Sequence, residues 1–386
     1  MKIGLGMMVK NFVSEEVLSE FLDNAAKYGH NIHEVVVVYS NELDKGAAGR
    51  LAKRTRLNLV KLNEYEKAES AFKKLNMPAK ASDHLLHCRI IREYGITPYG
   101  FNRNTVLIEA LLSELDLLIF IDSDVYPYVL QYDETGEVVK EEIDFIGRHL
   151  QGINAGAAIT TSDYSGYNIL PPADFDGMDE LLYGLRKEGM LHFWRGSSRH
   201  KCLSLQRHEI PEPFPTKKLL GGNLGILLEA LPKIPPFFSP YYFYEGRPFL
   251  ARGEDTMMGL AAAGGGLRCL DIDTHIFHNT FGSYPQVPDL ASDPVVQERF
   301  YFACTGWIGR NVFQRWERGH RDTGSDHQTK SLAIGAKALY EYTGNRLFQS
   351  LPEIDAAAKA ALPDMIGQYE EAKQSWSCFL ERWFTK

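Results

Sequence analysis

The chain has 386 residues, 44% hydrophobic and 24% charged, the balance of a soluble globular protein long enough to bury one large core or two ordinary ones. Its formal charge of -8 at pH 7 argues against a nucleic-acid binder that works by neutralising phosphates. No apolar run is long enough to span a bilayer, and the five cysteines (Cys88, Cys202, Cys269, Cys304 and Cys378) are scattered with no C-x-x-C pair, so a cytoplasmic protein with reduced thiols and no zinc cage is expected.

Residues 2 to 9 (KIGLGMMV) predict a first strand. A helix follows from about Ser14 to Tyr28, with Ser14 as its cap and Val17, Leu18, Phe21, Leu22 and Ala25 as its apolar stripe. Residues 34 to 39 (EVVVVY) predict a second buried strand, then a helix carrying Arg50, Lys53, Arg54 and Arg56, then a strand over 58 to 62. Strand, helix, strand, helix, strand is the signature of a parallel wound sheet. The basic helix reads as a solvated face, with contact to a membrane surface as the alternative. Helical residues 64 to 94 include His84 and His87, which lack a third metal ligand nearby in sequence.

Residues 95 to 103 read as a loop and 105 to 115 as a helix, which puts Arg103 and Asn104 where that helix begins. Free backbone N–H groups and Arg103 could there hold a phosphate or sugar hydroxyls; equally, Asn104 could simply cap the helix. The helix leads into LLIFI, residues 117 to 121, the pattern of a strand buried on both faces. It ends in Asp122-Ser123-Asp124. Two carboxylates two residues apart on an extended chain point the same way, and at the edge where the strand leaves the sheet they can share one hard divalent cation. The same D-x-D pattern recurs at Asp174/Asp176, in a loop after Pro171-Pro172, and at Asp271/Asp273, which reads as a strand end.

A hairpin is expected around Asp133 to Gly136, a helix to about Leu150 and a strand over 155 to 161. A long polar stretch from Ser162 to Leu219 contains His192, Arg195, Arg199, His200 and Lys201, charges that suit an anionic acceptor or a solvated loop. In LLGGNLGILLEAL, Gly221 and Gly222 allow close backbone approach just before an apolar strand. Glu254 and Asp255 open a helix, where the dipole alone could favour them. After a strand over 267 to 272 come His275 and His278, both candidate metal ligands. From about residue 284 the pattern is helical (near 294 to 318, 329 to 342 and 352 to 385). The basic stretch with Arg310, Arg315, Arg318, His320, Arg321, His327 and Lys330 could fold over a diphosphate, and the aromatic SWSCFLERWF suits packing on the core or on a second copy of the chain, with a membrane surface as the lesser alternative.

The order of parts resembles the GT-A nucleotide-diphospho-sugar glycosyltransferases over roughly residues 1 to 282, in a layout most like mannosylglycerate synthase and related retaining members. The matching pieces are FNRNTVLIEAL, the acidic strand end, GGNLGILLEAL, GEDTMMG and HNTFG. The resemblance implies an α/β fold, a wound and mostly parallel sheet flanked by helices, with a GT-A domain over 1 to 282 and a helical region over 283 to 386. It implies Mn²⁺ or Mg²⁺ on Asp122, Asp124 and His278, and a donor (a UDP- or GDP-sugar) near Arg103, Asn104, Asp122, Ser123, Gly221 and Gly222, with Arg321 from the basic stretch beyond the resemblance as a further donor contact. Asp255 and Glu254 would then be the catalytic acids beside a small-molecule or glycan acceptor, an anionic one included. The rival expectations are a sugar-phosphate nucleotidylyltransferase, whose Gly-rich basic loop is missing after the first strand (GMMVKNFV), and a non-catalytic carbohydrate-binding or scaffold protein on the same fold.

Overall fold

A computed structural model describes residues 1–87, 89–166, 169–190, 212–319 and 326–385. In chain order the strands are β1 (Ile3–Val9), β2 (Ile32–Tyr39), β3 (Arg56–Lys61), β4 (Leu117–Ile121), β5 (Val125–Tyr126), β6 (Tyr128–Tyr132), β7 (Val138–Glu142), β8 (Ile159–Thr161), β9 (Tyr164–Ser165), β10 (Phe214–Pro215), β11 (Asn223–Leu227), β12 (Tyr241–Tyr244), β13 (Arg247–Leu250), β14 (Cys269–Asp271) and β15 (Ile276–His278). The main sheet has the order β10-β14-β8-β11-β4-β1-β2-β3. Strands β3, β2, β1 and β4 are parallel, β11 runs antiparallel between β4 and β8, β14 is parallel to β8, and β10 closes the edge antiparallel. The wound, mostly parallel α/β sheet expected from the sequence is what forms.

Side-chain alternation explains why the central strands β2 and β4 are apolar over residues 35–38 and 117–121. In β2, Val35 and Val37 join one core with Leu18, Phe21 and, from β4, Leu117, Ile119 and Ile121; Val36 and Val38 join another with Leu118 and Phe120. Both faces are covered by helices, so a polar residue on these strands needs a partner, as the buried Glu34 of β2 has in Arg56 and Ser113. The helical C-terminal region also forms, as helices Pro294–Glu317, Asp326–Thr343, Leu351–Ala360 and Leu362–Phe384. The last of these inserts Trp376, Phe379 and Leu380 into the core beneath β4, and Trp376 Nε1 donates to the Ile234 carbonyl at 3.0 Å. The aromatic tail therefore packs on this protein's own core. Among the described residues no helix is long and apolar enough to cross a membrane.

Three local expectations are corrected. The helix before the acidic strand spans Tyr99–Leu112 and follows Pro98, so Arg103 and Asn104 lie in its second turn and not at its start. Asn104 caps nothing: its side chain donates to the Phe237 carbonyl and accepts from the Phe237 N–H, each at 2.9 Å, so the polar residues that read as loop are in fact a buried clamp. The basic helix stops at Ala52, and Arg56 begins β3, where it pairs with the buried Glu34 at 2.9 Å. Finally, the strand expected over 155 to 161 shortens to β8, and the long polar stretch holds β9 and the helix Met178–Gly184. Its residues His192, Arg195, Arg199, His200 and Lys201 lie outside the described residues, as do Cys88 and Cys202.

Behind the sheet, His149 is fully buried, with Nδ1 2.8 Å from Thr160 Oγ1 and Nε2 3.1 Å from Asn223 Oδ1. Asn223 uses its Nδ2 on the Thr274 carbonyl, so its oxygen faces the ring and the neutral Nε2–H tautomer fits. Burial pushes this imidazole from 6.5 down to about 3, against a smaller upward pull from Asn223. The unfolded chain then binds the extra proton first. His149 contributes stability that is complete above pH 6.5 and is lost as pH falls from there toward 3. Urea unfolding of the wild type against His149→Gln checks this: the acid-side slope, at most about 1.4 kcal/mol per pH unit from one group, should flatten in the variant.

Candidate active site

Strand β4 stays apolar to Ile121 and then leaves the sheet, so Asp122 and Asp124 fall at its carboxyl end with side chains only partly buried. Ser123 between them is exposed. The short β5 pairs antiparallel with β15 and sets His278 opposite Val125. That register brings His278 Nε2 to 3.0 Å from Asp124 Oδ1, while the Asn279 N–H donates to the Asp124 carbonyl at 2.8 Å. On the far side of β15, β9 supplies Tyr164, whose ring centroid lies 4.7 Å from that of His278 and whose hydroxyl accepts from the Gly222 N–H at 2.7 Å. Arg299, near the start of helix Pro294–Glu317, places Nη2 3.8 Å from Asp124 Oδ2.

The second half of the cluster is built on Arg103. Its side chain is 4% exposed and spends three donors inside the protein. Nε donates to Glu254 Oε1 at 3.0 Å, Nη1 to the Gly221 carbonyl at 2.8 Å, and Nη2 to Asp122 Oδ1 at 3.3 Å. The Gly221 N–H donates in turn to Asp255 Oδ2 at 2.9 Å, and the Thr256 N–H donates to Asp255 Oδ1 at 2.6 Å. The glycine pair is a steric requirement: a Cβ on Gly221 would stand 2.0 Å from Arg103 Nη2, and one on Gly222 2.5 Å from Asp122 Oδ2. The geometry thus gathers Arg103, Asp122, Asp124, Gly221, Gly222, Glu254, Asp255 and His278 at one sheet edge. Asn104 faces away, toward Phe237, and Arg321 lies outside the described residues. Tyr164 and Arg299 had no signal in the sequence.

Charge at this edge is finely divided. Burial raises the Asp122 carboxyl, with Asp124 adding to the rise and Arg103 opposing it. Burial acts the same way on Asp124, but His278 and Arg299 outweigh it and the net shift is downward. For His278 burial opposes the charged ring, and Asp124 and Asp122 reverse that into a net upward shift. His275, also half-buried, is pushed down by burial and faces Asp163, Asp271 and Asp273 instead.

Among the described residues no three His, Cys, Asp or Glu side chains form a ready-made metal cage, because Asp122 is turned to Arg103. The donors nevertheless suit a hard cation. Neighbouring ligands of an octahedral ion at ~2.1 Å stand about 3 Å apart, and the Asp124 to His278 spacing is 3.0 Å. Asp122, two residues earlier at the same strand end, is the residue that would supply a third donor, two carboxylates and one imidazole being the set favoured by Mn²⁺ or Mg²⁺ over structural zinc.

No family model and no curated protein matches this sequence. Solved structures to which it is similar include a mycobacterial protein (13% identity, TM-score 0.40, covering 84% of this chain and 76% of that one). Others are glucosyl-3-phosphoglycerate synthase from Mycobacterium tuberculosis in complex with Mn²⁺, uridine diphosphate and phosphoglyceric acid (14%, 0.36, 79% and 78%) and S. aureus TarS (13%, 0.38, 99% and 92%). At such identities and TM-scores the likeness carries no argument about activity, which has to come from the residues of the site.

If Arg103 is the brace this geometry describes, Arg103→Met leaves Glu254 buried without its counter-ion and costs about 3–5 kcal/mol of stability, the usual penalty for breaking a buried pair from one side. Urea denaturation measures it. A variant of unchanged stability that has lost only ligand affinity would make Arg103 a phosphate ligand instead.

Proposed function

We propose that the chain is a metal-dependent glycosyltransferase that moves a sugar, with retention, from a UDP- or GDP-sugar to a small-molecule or glycan acceptor. The observation that carries the reading is the meeting of Asp124 and His278 at the carboxyl end of β4, two residues after Asp122, with Asp255 tethered to Gly221 on the same edge. Residues 1–282 are assigned as the nucleotide-sugar-binding and catalytic domain and 283–386 as a helical region completing it.

Asp122, Asp124 and His278 would hold Mn²⁺ or Mg²⁺, which when bound offsets the negative charge that develops on the departing diphosphate. The remaining work belongs to the chain. Arg299 adds a positive charge beside Asp124, where the diphosphate would lie. Tyr164 fixes the plane of the His278 ring and, through Gly222, ties it to the turn that faces Asp122. Gly221, Gly222 and the exposed Ser123 leave the nucleotide room to approach the backbone. Asp255 accepts backbone N–H groups on both oxygens, which suits a rigid carboxylate that orients the acceptor hydroxyl or stabilises an oxocarbenium-like centre. Glu254, locked to Arg103, holds the start of helix Glu254–Gly264 in place for it.

The reading is tested by donor hydrolysis and by thermal shift with UDP, GDP and their sugars, with and without Mn²⁺, since a ligand that binds only the folded state raises its apparent stability. The expected result is Mn²⁺-dependent release of one nucleoside diphosphate, abolished in Asp124→Ala while the fold is kept. Pyrophosphate formation would replace the reading with a nucleotidylyltransferase, and silence across the donor panel would favour a non-catalytic scaffold. Asp255→Asn is expected to lower kcat by at least about 100-fold with little change in nucleotide affinity, the mark of an interaction made in the transition state. Steady-state kinetics alongside nucleotide titration separates that result from a loss of binding.

A further inference from the structure

A second concave site lies on the helical side of the molecule, in a cavity of about 280 Å³ lined by Arg186, Arg310, Asn311, Gln314, Arg315 and Arg318. Helix Pro294–Glu317 supplies the last turns that carry Arg310, Asn311, Gln314 and Arg315, with Arg318 immediately after it, and Arg186 follows helix Met178–Gly184. Concentrating four arginines on one small wall is electrostatically unfavourable. Among the described residues none of Arg186, Arg310 and Arg318 has a carboxylate partner within ion-pair distance. Arg186 gives Nε and Nη2 to a neutral acceptor, Gln328 Oε1, at 3.1 and 2.8 Å. Arg310 gives Nη2 to Asn311 Oδ1 at 3.3 Å, and Asn311 in turn donates to the Leu185 carbonyl at 2.8 Å.

Two further donors on this wall are stranded. Arg310 Nε and Gln314 Nε2 are both buried and neither has an acceptor. A buried donor without a partner costs about 1–3 kcal/mol, and more for a charged one, a cost that an acceptor reaching both would offset. The surrounding potential has the matching sign. Burial pushes Arg310 down to about 10, with Arg252 and Arg318 adding to the fall against a pull from Asp255. Burial likewise pushes Lys187 down to about 7, with Arg310, Arg252 and Lys218 all contributing. Glu317 is the acid next to Arg318; its Oε2 is buried without a donor, and among the described residues no ion pair joins it to Arg186, Arg310 or Arg318.

We propose that this cavity is an oxyanion site that takes a phosphate group, either as free phosphate or as the monoester end of a small metabolite. Arg310 Nε, Gln314 Nε2 and the arginines supply donors to several oxygens at once, the forked geometry that guanidinium groups offer to phosphate. The volume lies just below the roughly 300–1,000 Å³ typical of ligand pockets, enough for a phosphate with a few carbons and too little for a nucleotide-sugar. The cavity also has a defined relation to the acidic edge: a Cβ on Gly253, the residue before Glu254, would stand 2.7 Å from Arg310 Cδ. A phosphate held here would be anchored through Arg310 one residue away from the Glu254–Asp255 pair. The site rests on its own donors and does not need the transferase reading.

The test is isothermal titration calorimetry of the full chain, without nucleotide or metal, against inorganic phosphate and separately against glycerol 3-phosphate. The variants are Arg318→Ala, whose exposed side chain can be removed without disturbing the core, and Arg310→Met, with thermal melting to confirm that each is folded. One saturable site is expected, weakened about tenfold or more in either variant, the size of a lost charge-assisted hydrogen bond. Tighter binding of the ester identifies a phosphorylated small molecule as the ligand; equal or tighter binding of inorganic phosphate identifies the free ion. Absence of saturable binding of both probes overturns the proposal, as does unchanged affinity in folded Arg318→Ala and Arg310→Met. Neither result bears on Mn²⁺-dependent donor hydrolysis, which depends on Asp124 and His278.

Discussion

A buried guanidinium holds the acidic edge together. Arg103 lies against an edge-to-face pair of rings, Phe120 and Phe237, its guanidinium carbon 5.3 and 5.7 Å from their centroids, and from there reaches Asp122, the Gly221 carbonyl and Glu254. These are three separate segments of chain: the end of β4, the turn before β11 and the start of helix Glu254–Gly264. Each presents negative charge or a carbonyl dipole, and none could be packed against the others without a cation in the gap. Arginine suits the position because its planar fork serves three acceptors while its flat faces remain apolar enough to sit against aromatic rings. The absence of side chains at Gly221 and Gly222 follows directly, since guanidinium and carboxylate occupy the space where Cβ atoms would be.

Much of this was legible in the sequence, for identifiable reasons. The strands β2 and β4 announce themselves because covering both faces forces nearly every position to be apolar, and β4 is followed at once by two acids that have no place in a core. Arg103 was picked out for the wrong reason. The stretch YGFNRN reads as a loop because it is polar and contains glycine, yet it is helical, and its polarity serves buried hydrogen bonds to the Phe237 backbone and to the acids. Local propensity carries no information about a partner more than a hundred residues away. Tyr164 and Arg299 were illegible on the same ground: one tyrosine in a polar stretch and one arginine near a helix start acquire meaning only once β9 pairs with β15 and the long helix comes to lie beside Asp124.

The repeated D-x-D pattern shows how context decides. Asp271 and Asp273 also end a strand, but there the chain turns sharply, with Asp273 at φ 52°, and Asp271 Oδ1 accepts from both the Asp273 N–H and the Ser162 hydroxyl. That carboxylate is consumed by its own turn. Asp122 and Asp124 instead spend their oxygens on side chains from distant elements, Arg103 and His278, which can yield to a ligand without unmaking the backbone. The same two-residue spacing gives a structural turn in one place and an exchangeable cluster in the other.

Strand β11, entering antiparallel between β4 and β8, carries a consequence for the order in which the molecule can be assembled. The first four strands of the main sheet come from the first third of the chain, and Arg103 lies only 19 residues from Asp122, so that pair can form as soon as β4 docks. Its other contacts wait: Glu254 is 151 residues from Arg103, and His278 is 154 from Asp124. Closing loops of that length makes the second half of the sheet slow to arrive, and until it does the edge is a pair of carboxylates of which only Asp122 has Arg103 as its partner. During synthesis the emerging chain therefore carries an acidic, unfinished rim for as long as the ribosome takes to supply β11 through β15. Until β11 arrives, the flank of β4 that it will pair is an open strand edge, the kind most exposed to pairing with another chain.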